Sequence, residues 1–436
     1  MNHQLIQKAA IVVLMAASSG AFGQGLPTAR PEQVGMSSVR LAALKSSLQS
    51  EVDAGKIPGA VVMIVRNGKL AYSEAIGYQD KVTGKALKQD AIFRIYSMTK
   101  PLASVGAMML VEDGKIQLTD PISKYLPEFA KMGVSVAQTD AAGVVTYNIV
   151  PATRQITVQD LLRHTSGIAY AEITRNPVIR KAYIEAGVYQ ENGTDYDARK
   201  VTPAQEVTGL AKAPLSTQPG STWEYGMSVD VLGRVVESAS GKPLDVYLDE
   251  RLFKPLKMND TSFQVAAKNL NRIAEPFAID PATGNPNKVM DVTITPGNAS
   301  GGAGAVSTAA DYMRFMVMML RGGELDGQRI LSPSTISLMT SDHLGSKVVA
   351  TPSPGELLMG VPGYTFGLGF TVRQGPGIAG VPGSEGEYMW AGAAGTFFWI
   401  DPKQNLAVVA MMQAPGPSRP GYRRMVKQLV YAAIEK

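Results

Sequence analysis

Ser97 and Lys100, three residues apart in Ser97-Met98-Thr99-Lys100, carry the clearest chemistry in the sequence. On a helix, positions i and i+3 share a face, so the amine of Lys100 can reach the hydroxyl of Ser97. A serine hydroxyl is a weak nucleophile near neutral pH until a neighbouring base takes its proton. A lysine amine can act as that base where burial or a nearby cation favours its neutral form. The pair therefore predicts a nucleophilic serine, although the short motif alone also occurs at ordinary helix starts.

The sequence around the motif supplies the setting that this chemistry needs. A strand-like run at 92–96 precedes Ser97, and an apolar helix is predicted over 99–113. Pro101 suits the first turn of that helix, where a missing N–H is tolerated. The free N–H groups and the positive dipole end of the helix favour negative charge that develops beside Ser97.

The remaining elements predict how this helix is held. A helix is expected over 38–53 and a hairpin over 59–75, with Asn67-Gly68 at its turn. Helical stretches without strong strand alternation fill the middle of the chain. Strand-like runs return at 364–372, 387–390, 396–400 and 406–412, before a last helix at 424–435. The simplest architecture is α+β, with a discontinuous sheet domain (30–114 plus 291–436) and an inserted helical domain (115–290).

Composition excludes several other classes of protein. The chain has no cysteine and three histidines, so it has no thiol nucleophile or thiolate metal site, and a His-rich metal centre is not expected. The net charge of +5 is scattered and forms no basic block, which disfavours nucleic-acid binding. No cofactor is expected, and the sequence does not indicate an oligomeric state.

The first residues predict export. Lys8, an apolar run at 9–17 and small residues before Gln24 are typical of a signal peptide over 1–23. About ten apolar residues are too few to cross a bilayer, which needs roughly 20. We therefore expect a periplasmic or extracellular protein without a stable membrane anchor.

Three distant stretches accompany the Ser97 motif: Tyr225-Gly226-Met227-Ser228, Trp390-Ala391-Gly392 and His164-Thr165-Ser166-Gly167. With them the chain resembles, over about 30–436, the serine β-lactamase and penicillin-binding-protein superfamily. The closer likeness is to its esterase branch, the family VIII carboxylesterases. The resemblance implies a β-lactamase/transpeptidase-like fold, in which helices flank an antiparallel sheet and a mostly helical domain is inserted.

The resemblance also assigns roles in proton transfer. Tyr225 would accept the Ser97 proton and pass it to the leaving group, and Lys100 would hold the phenol or share the proton. It leaves open which of the two is the formal base. His164 is interpreted as structural, because the chain has no Gly-x-Ser-x-Gly motif of a histidine-activated serine. The glycine-rich 301–304 stretch lacks the features of a phosphate loop and is expected to border the pocket.

The stretch at Trp390 departs from the superfamily. β-Lactamases and penicillin-binding enzymes usually carry Lys-Thr-Gly or Lys-Ser-Gly there, whereas family VIII esterases often have Trp-x-Gly. A tryptophan in place of the cation favours an apolar, uncharged acyl or alcohol group. The N–H of Ala393 would join that of Ser97 as the oxyanion hole. Trp390, Gly392 and Ser228 are the expected substrate-binding residues.

The sequence thus predicts a serine hydrolase that cleaves small-molecule esters through an acyl-enzyme on Ser97. Three alternatives stay open. They are β-lactam or amide hydrolysis (D-amino-acid or ω-amino-acid amides), acyl transfer to an alcohol, and a non-catalytic binding module. Retention of Ser97, Lys100 and Tyr225 together argues against the last of these.

Overall fold

A large antiparallel sheet is the frame of the molecule. The computed structural model describes residues 25–191 and 200–436, so the predicted signal peptide at 1–23 lies outside the described residues. The strands, in chain order, are β1 (Gly59–Arg66), β2 (Lys69–Asp80), β3 (Lys85–Ala86), β4 (Phe93–Arg94), β5 (Gly133–Thr139), β6 (Val145–Pro151), β7 (Thr222–Trp223), β8 (Val306–Ser307), β9 (Glu324–Leu325), β10 (Gln328–Arg329), β11 (Val349–Ala350), β12 (Tyr364–Phe366), β13 (Thr371–Arg373), β14 (Tyr388–Ala391), β15 (Phe397–Asp401) and β16 (Leu406–Met412).

The helices cover this sheet and build the rest of the molecule. In chain order they are α1 (Ser38–Asp53), α2 (Thr99–Glu112), α3 (Val158–Leu162), α4 (Pro177–Glu185), α5 (Pro203–Lys212), α6 (Ser228–Ser240), α7 (Leu244–Leu248), α8 (Ala309–Leu320), α9 (Pro333–Met339), α10 (Pro354–Met359) and α11 (Arg419–Ala432). Within the described ranges, no helix combines the length and the apolar character that crossing a bilayer requires.

Both ends of the chain contribute to the sheet. Its strand order is β12-β13-β14-β15-β16-β1-β2-β3, and each neighbouring pair is antiparallel. Strands β1 and β16 lie inside the sheet, with Ala60 opposite Met412 and Arg66 opposite Leu406. Every residue of both strands is buried, which explains their continuous apolar sequences.

Helices pack on both faces of the sheet, and β15 shows the two layers. Successive side chains of a strand point to opposite faces. Phe398 accordingly packs against Tyr312 of α8 on one face, with ring centroids 5.1 Å apart. Trp399 stacks on Tyr431 of α11 on the other face, at 6.2 Å. Helix α1 also contacts α11 on that second face.

The predicted elements are largely present, with two informative differences. The segment 133–151 was expected to be helical, but β5 and β6 form a hairpin there, paired from Gly133 opposite Pro151 to Thr139 opposite Val145. Most hairpin residues are exposed, so no buried face imposed an apolar alternation on the sequence. The run at 92–96 contributes only the short β4, because the chain turns at Tyr96.

Candidate active site

Ser97 lies in a tight turn between β4 and α2. The turn covers Tyr96–Met98, and Tyr96 adopts a left-handed conformation with φ of +44°, which is strained for a bulky residue. Two buried hydrogen bonds hold the turn. The N–H of Met290 donates to the Tyr96 hydroxyl at 2.9 Å, and the hydroxyl of Tyr312 donates to the Met98 carbonyl at 2.9 Å. The turn places Ser97 at the wall of a cavity of about 460 Å³.

The structure brings the three predicted catalytic side chains together. The Tyr225 hydroxyl donates to the Ser97 Oγ at 2.5 Å, and the Lys100 Nζ donates to the same oxygen at 3.3 Å. Because both partners converge on the Ser97 Oγ, its proton can leave to either without a large movement. This is the arrangement that a base-activated serine requires.

Lys100 is buried and is held by neutral groups. Its side chain is 1% exposed, and its Nζ donates to the Gly302 carbonyl at 2.7 Å and to the Tyr170 hydroxyl at 2.9 Å. The Nζ also lies 4.7 Å from the ring centroid of Tyr225. Over the described part of the chain, no carboxylate forms an ion pair with Lys100. Its amine is therefore positioned without being tied to an anion.

His164 supports Tyr225 from behind. Its carbonyl accepts from the Glu224 N–H at 2.9 Å, and its Nδ1 accepts from the Gly226 N–H at 3.5 Å. Its ring packs against Tyr225 at a centroid distance of 5.0 Å. Burial, and secondarily the charge of Lys100, lowers the pKa of His164 well below its usual value, so the imidazole stays neutral. The predicted structural role of His164 agrees with this arrangement.

The end of β14 comes close to the Ser97 turn at Gly392. A Cβ on Gly392 would lie 2.4 Å from the Ile95 carbonyl oxygen and 2.3 Å from the Thr396 Oγ1, so only glycine fits. This approach places Ala393 and Ser97 on the wall of one cavity. Among the described residues, no backbone or side-chain acceptor bonds the N–H of Ser97 or of Ala393. Both donors are available to an oxyanion.

The cavity is lined by apolar and cationic groups. Its apolar wall includes Trp390, whose ring lies 5.4 Å from that of Tyr225 and whose side chain is 1% exposed. The other lining residues outside the catalytic group are Tyr96, Glu172, Ile173, Lys288, Leu357, Leu358, Ala391, Gly392, Ala393, Ala394, Pro415, Gly416, Pro417, Arg419, Pro420 and Arg423. Trp390 and Gly392 thus reach the cavity as the sequence predicts.

Ser228 is a correction to the predicted site. It was expected to bind substrate, but it does not line the cavity and is fully buried. Its hydroxyl hydrogen-bonds the Ser166 hydroxyl at 2.9 Å, which ties the start of α6 to the 164–167 loop. Although Ser228 is only three residues after Tyr225, it points away from the cavity, because the helix begins at Ser228 and directs its side chain into the core.

Sequence reasoning missed Tyr170 and the role of Gly302, the two further partners of Lys100. Gly302 belongs to the glycine-rich turn that was expected only to border the pocket. A side chain there is excluded, because a Cβ would lie 2.1 Å from the Asp230 Oδ2. No spacing rule relates Tyr170 to Lys100, so the sequence carries no signal for that contact. The described residues contain no group of three or more side chains placed to bind a metal.

An antiparallel sheet between helices, with a serine and a lysine at the start of a buried helix and a tyrosine opposite, defines the β-lactamase/transpeptidase-like class of serine hydrolases. The model of the Beta-lactamase family matches residues 44–432, and the chain belongs to that family. The predicted superfamily and fold are confirmed.

Similar proteins extend this result. Protein Rv1367c of Mycobacterium tuberculosis is 36% identical over 377 residues, covering 85% of this chain and 89% of that protein. Esterase EstB of Burkholderia gladioli is 28% identical over 381 residues, covering 82% and 86%. The solved structure of EstCE1, described as a hydrolase with promiscuous acyltransferase activity, has a TM-score of 0.73 and 26% identity, covering 90% of this chain and 99% of that one.

Proposed function

We propose that this protein is an exported carboxylesterase that forms an acyl-enzyme on Ser97, with Lys100 and Tyr225 as proton-transfer partners. The observation that carries the proposal is the convergence of both partners on one oxygen, with the Tyr225 hydroxyl 2.5 Å and the Lys100 Nζ 3.3 Å from the Ser97 Oγ. The similarity to Esterase EstB supports the ester as the substrate class.

The reaction proceeds in two half-reactions. The Ser97 Oγ attacks the ester carbonyl carbon while its proton passes to the Tyr225–Lys100 pair. The carbonyl oxygen becomes an oxyanion, which the N–H groups of Ser97 and Ala393 stabilise. The C–O bond to the alcohol then breaks, and Tyr225 returns the proton to the leaving alkoxide. In the second half-reaction, water attacks the acyl carbon and the same pair takes the water proton. The bond between the acyl carbon and the Ser97 Oγ then breaks, the pair passes that proton to the Ser97 Oγ, and the carboxylic acid leaves.

The cavity wall favours a neutral acyl or alcohol group of modest size. Trp390, Leu357 and Leu358 supply apolar surface, and a volume of about 460 Å³ holds a short acyl chain together with a small alcohol. Trp390 occupies the position where lactam-cleaving relatives usually carry a cation. We therefore expect short-chain esters to react faster than substrates that need a carboxylate anchor.

Acyl transfer to an alcohol is a second candidate, favoured by the likeness to EstCE1. Transfer and hydrolysis share the Ser97 acyl-enzyme and differ only in whether an alcohol or water attacks it. Adding an alcohol acceptor to the ester assay separates the two. Partitioning of the acyl group to the new ester would add transfer to the proposal, and release of free acid alone would leave hydrolysis.

The test is a substrate panel on the wild type and on Ser97→Ala: p-nitrophenyl acetate and butyrate, nitrocefin and a D-alanyl amide. Ser104→Ala is the matched control, because Ser104 lies in the buried helix α2 that follows the Ser97 turn, and its hydroxyl has no hydrogen-bond partner among the described residues. We expect ester turnover in the wild type and in Ser104→Ala, with a fall of at least about 10⁴-fold in Ser97→Ala. Ester turnover that survives in Ser97→Ala would refute the mechanism, and nitrocefin turnover without ester turnover would replace esters by lactams.

Export has its own test. Expression of the full chain in a Gram-negative host, followed by N-terminal sequencing of the periplasmic fraction, should give a mature chain that begins near Gln24. An intact N-terminus confined to the cytosol would contradict export.

A further inference from the structure

We propose that Arg423 is a positioning residue of the oxyanion hole, which holds the Gly392 carbonyl and thereby turns the N–H of Ala393 into the cavity. The proposal rests on the Ser97 esterase mechanism and names a residue that the mechanism has not used. Arg423 lies on α11, and its Nη2 donates to the Gly392 carbonyl oxygen at 3.1 Å.

The argument begins with the geometry of one peptide unit. The Gly392 carbonyl and the Ala393 N–H belong to the same planar trans peptide, so they point in opposite directions. By holding the carbonyl oxygen, Arg423 therefore also fixes the direction of the N–H, which is opposite to that of the carbonyl. The Gly392 carbonyl accepts two bonds, from Arg423 and from the Gly395 N–H at 3.2 Å, which satisfies both of its lone pairs.

The next carbonyls of the strand end are held in the same way. Arg419, one helical turn before Arg423 on α11, donates from its Nη1 to the Ala393 carbonyl at 2.7 Å. The N–H of Ala414 donates to the Ala394 carbonyl at 2.6 Å. The carbonyls of Gly392, Ala393 and Ala394 are thus all bonded by groups outside the Ser97 turn. Arg419 and Arg423 of α11 supply two of these bonds.

Arg423 also carries a charge into a buried environment. Its side chain is 5% exposed, and its Nη1 donates to the Leu358 carbonyl at 2.7 Å. Its Nε has no hydrogen-bond partner, and no carboxylate of the described chain forms an ion pair with it. Burial, with a smaller contribution from Arg419, lowers the pKa of Arg423 to about 9, so the guanidinium is charged at neutral pH. A cation on the carbonyl oxygen polarises the peptide and strengthens its N–H as a donor.

This role predicts an effect on the transition state rather than on substrate binding. The oxyanion exists only after attack, so a weakened Ala393 donor lowers kcat and leaves KM nearly unchanged. A weakened Ala393 donor also lowers the affinity for phenylboronic acid, because the tetrahedral adduct of this compound on Ser97 places an oxygen in the oxyanion hole. A merely structural arginine would instead lower the folded fraction and leave kcat and boronate affinity per folded molecule unchanged.

Arg424 provides a matched control on the same helix. Its Nη1 also donates to a backbone carbonyl, that of Met359, but Arg424 does not line the Ser97 cavity. Loss of either arginine removes a guanidinium and its carbonyl bond from α11. Of Arg423 and Arg424, only Arg423 bonds the strand end that carries the oxyanion donor.

The experiment measures p-nitrophenyl butyrate kinetics, phenylboronic acid affinity and thermal unfolding in the full-length protein. We expect Arg423→Gln to lower kcat by roughly 30- to 100-fold, with KM within about threefold and boronate affinity reduced in proportion to kcat. Arg423→Lys keeps the charge but reaches fewer carbonyls, so kcat should fall by about five- to tenfold. Arg424→Gln should stay within about twofold.

The outcomes separate the two proposals. Unchanged kcat and boronate affinity in folded Arg423→Gln, or equal losses in Arg424→Gln, would overturn the assignment while the esterase function stands. A wild type without ester turnover whose boronate affinity still depends on Arg423 would remove the esterase function and keep the oxyanion-hole assignment. If Arg423→Gln does not fold, Arg423→Lys decides, because wild-type kcat in that variant alongside wild-type boronate affinity would also overturn the proposal.

Discussion

Two buried lysines of this molecule, Lys100 and Lys427, each lie over a tyrosine ring, but among the described residues only Lys427 has a carboxylate partner. Each is 1% exposed. The Nζ of Lys100 lies 4.7 Å from the ring centroid of Tyr225, and that of Lys427 lies 4.7 Å from that of Tyr431. The Lys427 Nζ, however, donates to a Glu387 carboxylate oxygen at 2.6 Å, whereas Lys100 is held by hydroxyls and a carbonyl.

The Glu387 carboxylate is the main difference between the surroundings of Lys427 and those of Lys100. Glu387 also accepts from the hydroxyls of Tyr364 at 2.7 Å and Tyr431 at 2.9 Å, and it lies 3.5 Å from the Arg373 Nη1. Burial lowers the pKa of Lys427, and the charge of Glu387 opposes that change. The ammonium of Lys427 is therefore part of a closed network between the sheet and α11. Among the described residues no carboxylate forms an ion pair with Lys100, and the Ser97 hydroxyl lies within hydrogen-bond reach of its Nζ.

The largest expected effect is that of Lys100→Met. This change removes the amine that contacts the Ser97 Oγ but keeps a side chain of similar length in the buried site. We expect kcat/KM for p-nitrophenyl butyrate to fall by about 10³-fold, since general acid–base groups contribute 10²- to 10⁴-fold. The urea midpoint should change little, because no buried anion is left unpaired. A folded Lys100→Met with activity within tenfold of the wild type would show that Tyr225 alone carries the proton.

Lys427→Met should have the opposite effects, with a loss of stability and little change in activity. It leaves the buried Glu387 carboxylate without its shortest cationic contact, which costs about 3 kcal/mol of unfolding free energy. Urea unfolding measures that loss, while kcat per folded molecule should stay within about twofold. The double variant Lys427→Met with Glu387→Gln should recover part of the stability. A Lys427→Met protein of wild-type stability would show that Arg373 and the tyrosines suffice to hold Glu387.

The difference between these lysines also marks how far the sequence could be read. Lys100 was predictable because its partner Ser97 is three residues away on one helix, and local spacing is visible in a sequence. Lys427 and Glu387 are 40 residues apart and meet only through the packing of α11 on the sheet. The continuous apolar strands β1 and β16 were predictable for the same local reason as Lys100, since the period of a buried strand is short.

Contacts set by tertiary packing were out of reach without a family resemblance. Tyr225 lies 128 residues from Ser97, and nothing in its own neighbourhood indicates that contact. Arg423 was one of many scattered basic residues and lay just before the helix predicted at 424–435. Ser228 failed for the opposite reason: a motif position suggested proximity, but the helix start directed the side chain into the core. Motifs locate a residue along the chain, and the helix phase then decides which way it points.

Glu206 is a second buried carboxylate, and its surroundings differ from those of Glu387. Unlike Glu387, neither oxygen of Glu206 has a hydrogen-bond partner among the described residues, and the Arg234 Nε lies 3.6 Å away. Burial, and next the charge of Asp230, raises the pKa of Glu206 to about 8. Between about pH 5 and 8 the folded protein therefore holds a proton that the unfolded chain, with an ordinary glutamate pKa, has released.

The expected consequence is that stability falls as pH rises. From pH 5.5 to 7.5 the unfolding free energy should drop by roughly 2 to 3 kcal/mol through this group. Urea unfolding at a series of pH values measures the slope, and Glu206→Gln should flatten it, because glutamine cannot release the proton. An unchanged slope in Glu206→Gln would assign the pH dependence to other groups, and Glu237, which lies beside Arg234 and whose pKa burial also raises, would be the first to examine.

The smallest expected effect is that of Tyr170→Phe, which tests how Lys100 is held in place. Tyr170→Phe removes the hydroxyl 2.9 Å from the Lys100 Nζ but leaves the Gly302 carbonyl bond at 2.7 Å. One lost hydrogen bond of about 1 kcal/mol should lower kcat by five- to tenfold without changing KM. Tyr247→Phe is the control, since its hydroxyl donates to the Gly106 carbonyl of the same helix α2 at 3.1 Å but does not contact Lys100. A fall in kcat confined to Tyr170→Phe would show that the hydroxyl positions the amine, because only that change removes a hydrogen bond to Lys100. Equal kcat in the two variants would mean that Gly302 alone fixes Lys100, and the contrast with Lys427 would then rest on one backbone carbonyl in place of a carboxylate.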